Sequence, residues 1–436
     1  MTDRRTFLAS LAAPAAARAL RVPAAFPAPA APTPDATRQP RMPAELGVDD
    51  DEKFWKKLRK EFTIPMDEVF FNTGTMGASP RIVQETVIDH MRHVDRDVAK
   101  WDYKGDHEQY FTGYFSERGF RDQLGQVLNC SGKDVALCQN ATFGMNFVAN
   151  GLELAAGDEV VVTDQAHPGG RKGYDLRAKR EGIVVKEVKV PDPVASPDQL
   201  IDGFLGLTTP KTKVWAIPHI SSGRAIRYPV EKLCALARDR GIFTAVDGAQ
   251  ALGHLAIDVQ AMGCDAYFGS PHKWLLAPKG TGFLYVRPER QKGLWATLAS
   301  FAWDDQDDRM FALMQYGTGN LSLLKGLGKA IEFHLELGPK RVQDRILGLA
   351  DRLRTGLKDI PGIAFWSPVH PELTCASTVY GLQGTTGDAI QDYLWDKAKI
   401  RVRSEGPAGV RHCCHIYNSP NDVDRSLALL RAMPRA

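Results

Sequence analysis

From Asp134 onward, short apolar runs rich in β-branched residues alternate with segments whose apolar positions recur at helical spacing. "DVALCQ" (134–139) precedes a helical pattern at 141–152, and "DEVVVTD" (158–164) precedes a basic amphipathic helix reaching Arg180. "GIVVKEVKV" (182–190) and "TKVWAIPHI" (212–220) follow, then a helix from Pro229 to Arg240 and "GIFTAVDG" (241–248). "DAYFGS" (265–270) and "TGFLYVR" (281–287) close the series. Strands this apolar need cover on both faces, so the alternation predicts a mainly parallel sheet flanked by helices, an α/β fold. Upstream, Pro80–Val98 and Tyr110–Asn129 carry helical spacing.

After Asn320 the pattern changes. Long helices are predicted over Leu321–Leu337 and Arg341–Lys358. They are followed by strand-like "TCASTVYGL" (374–382), a helix near Asp388–Lys397, "KIRVRS" (399–404), "GVRHCCHIYN" (409–418) and a last helix within 419–433. This is an α+β pattern. The chain therefore divides into a large domain over 51–320, with an access-side segment at 51–80, and a smaller C-terminal domain over 321–436. Residues 20–50 are rich in Pro and Ala and read as a flexible segment.

Composition is that of an ordinary globular enzyme. The net charge of +3 includes +2 from Arg4, Arg5 and Arg18 against Asp3, so nothing electrostatic points to nucleic acid. The leader "DRRTFLASLAAPAAARA" places a twin arginine before Phe7-Leu8, a short Ala/Leu run and then Ala17-Arg18-Ala19. That order predicts a twin-arginine signal over 1–19, handled by the twin-arginine export machinery, and a periplasmic protein. The other reading is an Ala-rich tail. The apolar run is too short for a stable membrane span.

Seven scattered cysteines (Cys130, Cys138, Cys234, Cys264, Cys375, Cys413, Cys414) make no disulfide framework. "HCCH" at His412–His415 suggests zinc. In a strand, however, His412 and Cys414 face one way and Cys413 and His415 the other, so the four cannot close one tetrahedron and no metal is expected.

Candidate chemistry follows the strand ends, where ligands gather in open α/β sheets. After "DVALCQN" comes "ATFGMN". Its free N–H groups suit a phosphate, although Thr142 could equally be a helix cap. After "DEVVVTD" comes "QAHPGG", whose His167 is either a surface loop residue or a flat ring over a ligand. Asp247 ends "GIFTAVD" with no nearby cation in sequence, a costly place for a carboxylate unless something positive meets it. Gln250 follows three residues later. Lys273, between His272 and Trp274, follows the apolar run Asp265–Phe268, where an amine either snorkels to water or is kept for chemistry. Taken together, a phosphate-binding helix start, a stacking histidine, a carboxylate and an amine are the parts pyridoxal 5'-phosphate requires.

The ordered segments "QNATFGMN", "TDQAHPGG", "VDGAQALGHLAIDV", "DAYFGSPHKWLLAPKGTGFLYVR", "YGTGN" and "VRHCCHIYNSPNDVDRSL" resemble the class V aminotransferases of fold type I, and within them the isopenicillin N epimerase-like branch. The resemblance implies a fold type I pyridoxal-phosphate enzyme in which Lys273 forms the Schiff base. It implies that Asp247 pairs with the pyridine nitrogen, Gln250 contacts the ring hydroxyl and His167 stacks on the ring. Ala141, Thr142 and Phe143 at the helix start, with Ser270 and His272, would hold the phosphate. Thr318 would reach the phosphate of the other subunit in a homodimer with shared sites. Arg411 would bind the substrate carboxylate through its bidentate fork. "FNTGTMGASP" resembles the loop on the access side, making Asn72 and Thr73 substrate neighbours.

The related cysteine desulfurases place a nucleophilic cysteine between strands like "KIRVRS" and "GVRHCC". Here that stretch is "EGPAG", so a desulfurase is not expected, and Cys375 and Cys414 read as core. The family's usual Asn or Thr is replaced at Ser221-Ser222. Exported members of the resembled branch include one that tailors the glutamyl side chain of a siderophore. The expected activity is therefore modification at the α-carbon of an amino acid, or of an amino-acid moiety on a secreted peptide or siderophore precursor. Epimerisation, C–S lysis, transamination or an inactive cofactor scaffold are the alternatives.

Overall fold

A seven-stranded sheet carries the first core. Its strands are β2 (Val135–Cys138), β3 (Glu159–Thr163), β4 (Val184–Val188), β5 (Thr212–Pro218), β6 (Phe243–Asp247), β7 (Ala266–Gly269) and β8 (Gly282–Val286). Their order is β2-β8-β7-β6-β5-β3-β4, parallel throughout except that β8 runs against both β2 and β7. This computed structural model describes residues 39–47, 51–100 and 117–434. The expected leader, most of the Pro/Ala-rich segment and the first part of the helix expected at Tyr110–Asn129 lie outside the described residues.

β2, β3, β7 and β8 are buried along their whole length, as the absence of polar alternation in their sequences requires. The helix Ala141–Gly151 packs on β7 and β8 through Gly144. A Cβ there would lie 2.6 Å from the Phe268 Cβ, so only glycine lets this helix start sit so low on the sheet.

The second core joins a four-stranded antiparallel sheet to three longer helices and to the helix Gly387–Ala398. Its strands β9 (Ile363–Phe365), β10 (Ser377–Leu382), β12 (Arg403–Ser404) and β13 (Val410–Cys413) are ordered β12-β13-β10-β9. The longer helices are Leu321–Leu337, Pro339–Lys358 and Pro420–Ala432, near the ranges the spacing predicts. Residues 51–71, expected at the start of the large domain, pack here instead. The helix Asp51–Arg59 turns Phe54, Trp55 and Leu58 into this core with Phe62 and Phe71. β1 (Val69–Phe70) pairs in parallel with β11 (Ile400–Arg401). The physical reason is that the apolar stripe of so short a helix needs a partner surface, and this one lies far along the chain, where Arg341 covers the Phe54 ring and meets Asp51 across 290 residues of sequence.

The "GVRHCCHIYN" segment is a strand only as far as Cys413. The chain then turns, with His415 N–H donating to Asn418 Oδ1 at 2.8 Å. His412 packs on the Phe71 ring, centroids 4.1 Å apart, while His415 Nε2 meets the Trp274 carbonyl at 3.0 Å. Among the described residues no three His, Cys, Asp or Glu side chains are grouped to hold a metal, and no helix is long and apolar enough to cross a membrane.

Candidate active site

The β7–β8 connection fixes Lys273. Its N–H donates to the Ser270 carbonyl at 3.1 Å, and the preceding His272 carbonyl accepts the Gly77 N–H at 2.9 Å. A Cβ at Gly77 would overlap the Lys273 carbonyl oxygen, so glycine lets the two backbones touch. Trp274, Leu275, Leu276 and Ala277 are buried behind the lysine, and Leu276 holds a left-handed φ of 60°, a conformation that persists only when packing over-determines it. Lys279, by contrast, is exposed.

The Lys273 amine enters a cavity of about 280 Å³ at the carboxyl ends of β6 and β7. It has no hydrogen bond or ion pair among the described residues. Burial, the dominant influence, lowers its pKa, with Arg411 and Arg403 acting in the same direction and the Asp247 carboxylate opposing. Asp247 accepts the Ala249 N–H on Oδ1 at 2.9 Å. Burial raises its pKa, against the Ala249 N–H and the Lys273 and His167 charges. A Cβ on Gly170 would collide with its Oδ2, so the helix Pro168–Glu181 begins directly over this carboxylate.

His167 caps that helix, its Nδ1 accepting the Gly169 N–H at 3.0 Å. Nδ1 is thereby the unprotonated nitrogen of a neutral ring. Partial burial, then the Lys273 charge, keep its pKa below the ordinary value although the ring stays open to the cavity mouth.

At the other end stands the start of the helix Ala141–Gly151. Asn140 is its cap, not Thr142: Asn140 Oδ1 accepts from Thr142 N at 3.0 Å and Phe143 N at 3.2 Å. Ala141 N donates to Ser270 Oγ at 3.0 Å. An Asn immediately before a helical run is the signal that could have identified it. Thr142, Ser270 and His272 line the cavity, as does Gln250. Thr318 does not. It is exposed in a different pocket beside Tyr316 and Asn320, and Asn320 caps the following helix.

Arg411, only 2% exposed, forms the third wall, with Nη1 donating to the Ser222 carbonyl at 2.7 Å and Nη2 to Thr75 Oγ1 at 2.9 Å. Thr75 in turn donates to Asn72 Oδ1 at 2.8 Å. Asn72 therefore stands behind the cavity wall. Thr73 lies outside the cavity altogether: it is fully buried and bonded to the Tyr417 hydroxyl. Gly74 and Thr75 line the cavity in their place, because the segment runs beside β13 with Asn72 paired to Cys413. Thr75, Asn140 and Arg403 are among the lining residues that the motif reading left out of the site. The Cys413 thiol is buried beneath Gly74 and accepts the Ser377 hydroxyl at 3.2 Å.

A partnerless amine, a carboxylate with one oxygen unengaged and glycines where a Cβ would fill the space together fit a flat ring that bears an aldehyde and a basic nitrogen. The N–H groups of the 141–143 helix start, expected to be free, are held by Ser270 Oγ and Asn140 Oδ1, so a phosphate there would take the place of those partners.

Residues 75–432 match the family described as aminotransferase class-V. The chain is 32% identical to the isopenicillin N epimerase of Amycolatopsis lactamdurans over 402 residues, covering 87% of this chain and 99% of that one. It is 25% identical to a probable cysteine desulfurase of Xylella fastidiosa over 86% of this chain and 94% of that one. In fold it matches a cystine C–S lyase variant with glycine covalently linked to its pyridoxal-phosphate cofactor, with a TM-score of 0.76 at 21% identity over 86% of this chain and 99% of that one. The cofactor is pyridoxal 5'-phosphate.

Capture of that cofactor by the apoenzyme requires a neutral lysine amine. With its pKa below the ordinary 10.5, Lys273 should give a capture rate, followed by absorbance, that rises with pH to a midpoint below that of a free lysine side chain. Asp247→Asn removes a carboxylate that raises this pKa, so the midpoint should fall further. A midpoint at the ordinary lysine value, or an upward shift in the variant, would contradict this environment.

Proposed function

Because the chain belongs to the aminotransferase class-V family and uses pyridoxal 5'-phosphate, we propose that it breaks the Cα–H bond of an amino acid, or of an amino-acid moiety of a peptide. The observation that carries this reading is the convergence of Lys273, Asp247 and Arg411 on one cavity. Bound pyridoxal phosphate supplies the sink for the electron pair left on Cα. Lys273 would hold the cofactor and, once displaced by the substrate amine, its Nζ would take the Cα proton from one face, while inversion requires a proton delivered to the opposite face. Asp247 would pair with the ring nitrogen and favour its protonated form. His167 would cover the ring face, the 141–143 helix start with Ser270 and His272 would hold the phosphate, and Gln250 would meet the ring oxygen. Arg411 exchanges its Ser222 and Thr75 partners for the substrate carboxylate, whose two oxygens match its fork.

Similarity to isopenicillin N epimerases favours inversion at Cα over bond cleavage at sulfur, and the β12–β13 connection Glu405–Gly409 carries no thiol to receive a sulfur atom. In D₂O, an amino-acid and peptide panel should show loss of the Cα proton by NMR in step with inversion on chiral analysis. Arg411→Lys should raise KM by about tenfold or more with cofactor retained. Sulfide or 2-oxo acid as the principal product would overturn the reading.

Thr318 is proposed to serve the cavity of a second copy, because it stands apart from the cavity of its own chain. Lys273→Ala and Thr318→Trp chains, each inactive alone, should recover activity when co-expressed, since one cavity of the hybrid is intact. Hybrids proven by mass spectrometry but inactive would place Thr318 elsewhere.

Arg4-Arg5 and the run that follows support export to the periplasm, where a secreted peptide or siderophore precursor would be the substrate. Fractionation should find the protein in the periplasm and the Arg4→Lys/Arg5→Lys variant in the cytoplasm; an unchanged distribution would remove the export reading.

A further inference from the structure

Behind the cavity, Gln250 is held at three points. Its Oε1 accepts the Trp274 indole N–H at 2.8 Å, its Nε2 donates to the Gly74 carbonyl at 2.8 Å, and its own carbonyl meets His254 Nδ1 at 2.9 Å. An amide can ordinarily turn over and present either end, but an indole N–H can only donate. The atom it meets must be the oxygen. The nitrogen end therefore faces Gly74, which with Gln250 lines the cavity, and one of its N–H groups is not used by that carbonyl.

The layer behind Gln250 is equally determined. His254 Nε2 accepts the Ala376 N–H at 2.7 Å, so the proton sits on Nδ1 and is donated to Gln250. Burial, the main influence, holds the His254 pKa at about 3, which keeps this tautomer neutral throughout the working range. Trp274 packs against the His254 ring, centroids 3.9 Å apart and planes tilted by 31°, and its carbonyl is held by His415 Nε2 at 3.0 Å. Both Trp274 and His254 are 1% exposed.

We infer that Trp274 is a positioning residue: with His254 it fixes Gln250 as an obligate hydrogen-bond donor toward the cofactor ring oxygen. A fixed donor stabilises that oxygen as an anion and so lowers the proton affinity of the nitrogen joining the cofactor to Lys273. Trp274 thus does two things. It follows Lys273 in the chain and anchors the loop, and through Gln250 it sets the pH at which the attached cofactor gains or loses its proton.

The test is a spectrophotometric pH titration of the holoenzyme, with no substrate present. Trp274→Phe keeps the ring against His254 but removes the donor. It should raise the midpoint of the absorbance change by about one pH unit, the size expected for one charge-assisted hydrogen bond. Gln250→Leu should shift it in the same direction, and the double variant no further than the larger single one, because both act through one bond. A lowered melting temperature with an unmoved midpoint in Trp274→Phe would leave only a packing role and overturn the inference. So would additive shifts. If Trp274→Phe fails to fold, Gln250→Glu decides: it keeps an acceptor for the indole but has no N–H to give, so an unmoved midpoint there overturns the inference as well. The inference rests on Lys273 as the attachment point. Borohydride reduction followed by peptide mapping checks that separately: label on Lys279 would remove the assignment of Lys273, whereas label on Lys273 with an unmoved midpoint removes only the role of Trp274.

Discussion

Keeping an amine inside a protein at the end of an apolar strand is the constraint on which the rest of this structure depends. Desolvation favours the neutral form of Lys273, and the opposing pull of Asp247 falls short of reversing it. The same low-polarity surroundings push Asp247 toward protonation. Each group is poorly satisfied by the protein alone, and each would be satisfied by a ring that offers an electrophilic carbon to one and a basic nitrogen to the other. The parallel sheet makes this possible because β6 and β7 are neighbours that end at the same level, so both groups emerge into one cavity without either strand having to bend.

The cavity exists only where the two cores meet. The first core supplies Lys273, Asp247, His167 and the 141–143 helix start, while the second supplies Arg411 from β13. The N-terminal segment joins them. Gly77 presses on the Lys273 loop, Gly74 leaves room for Gln250, Cys413 and Arg411, and Thr75 holds the guanidinium. Residues whose only evident merit in sequence is being small or polar thereby set the distance between the amine and the Arg411 guanidinium. Arg411 is hydrogen-bonded through both terminal nitrogens, with a Glu405 carboxylate oxygen 3.7 Å from Nη1, so the buried guanidinium is satisfied by the protein itself.

Much of this was legible in the sequence. The strands from β2 to β8 coincide with the apolar runs because, apart from the part-exposed edge strand β4, a strand covered on both faces must be apolar at nearly every position, a constraint written locally. Lys273, Asp247, His167, Gln250, Thr142, Ser270, His272 and Arg411 do converge, because each lies next to a strand end or helix start that the pattern locates. Asn140 was missed although its signal, a capping side chain before a helical run, is local. Thr73 and Asn72 stand where they do because pairing with β13 turns the segment, and no local periodicity reports a partner that far along the chain. The placement of residues 51–71 in the second core has the same origin, since an amphipathic helix declares that it needs a partner but not which one.

By itself, then, the sequence determined the elements, the order of strand ends and the identity of the reactive groups, all properties fixed by residue type and spacing within a few turns of chain. Tertiary structure alone decided which way some groups are held: the donor end of Gln250 by an indole, the fork of Arg411 by Ser222 and Thr75. Those choices are hydrogen bonds between distant segments. A hydrogen bond selects one rotamer, tautomer or amide orientation only after the partner has arrived, so it leaves no trace in the local pattern of the chain.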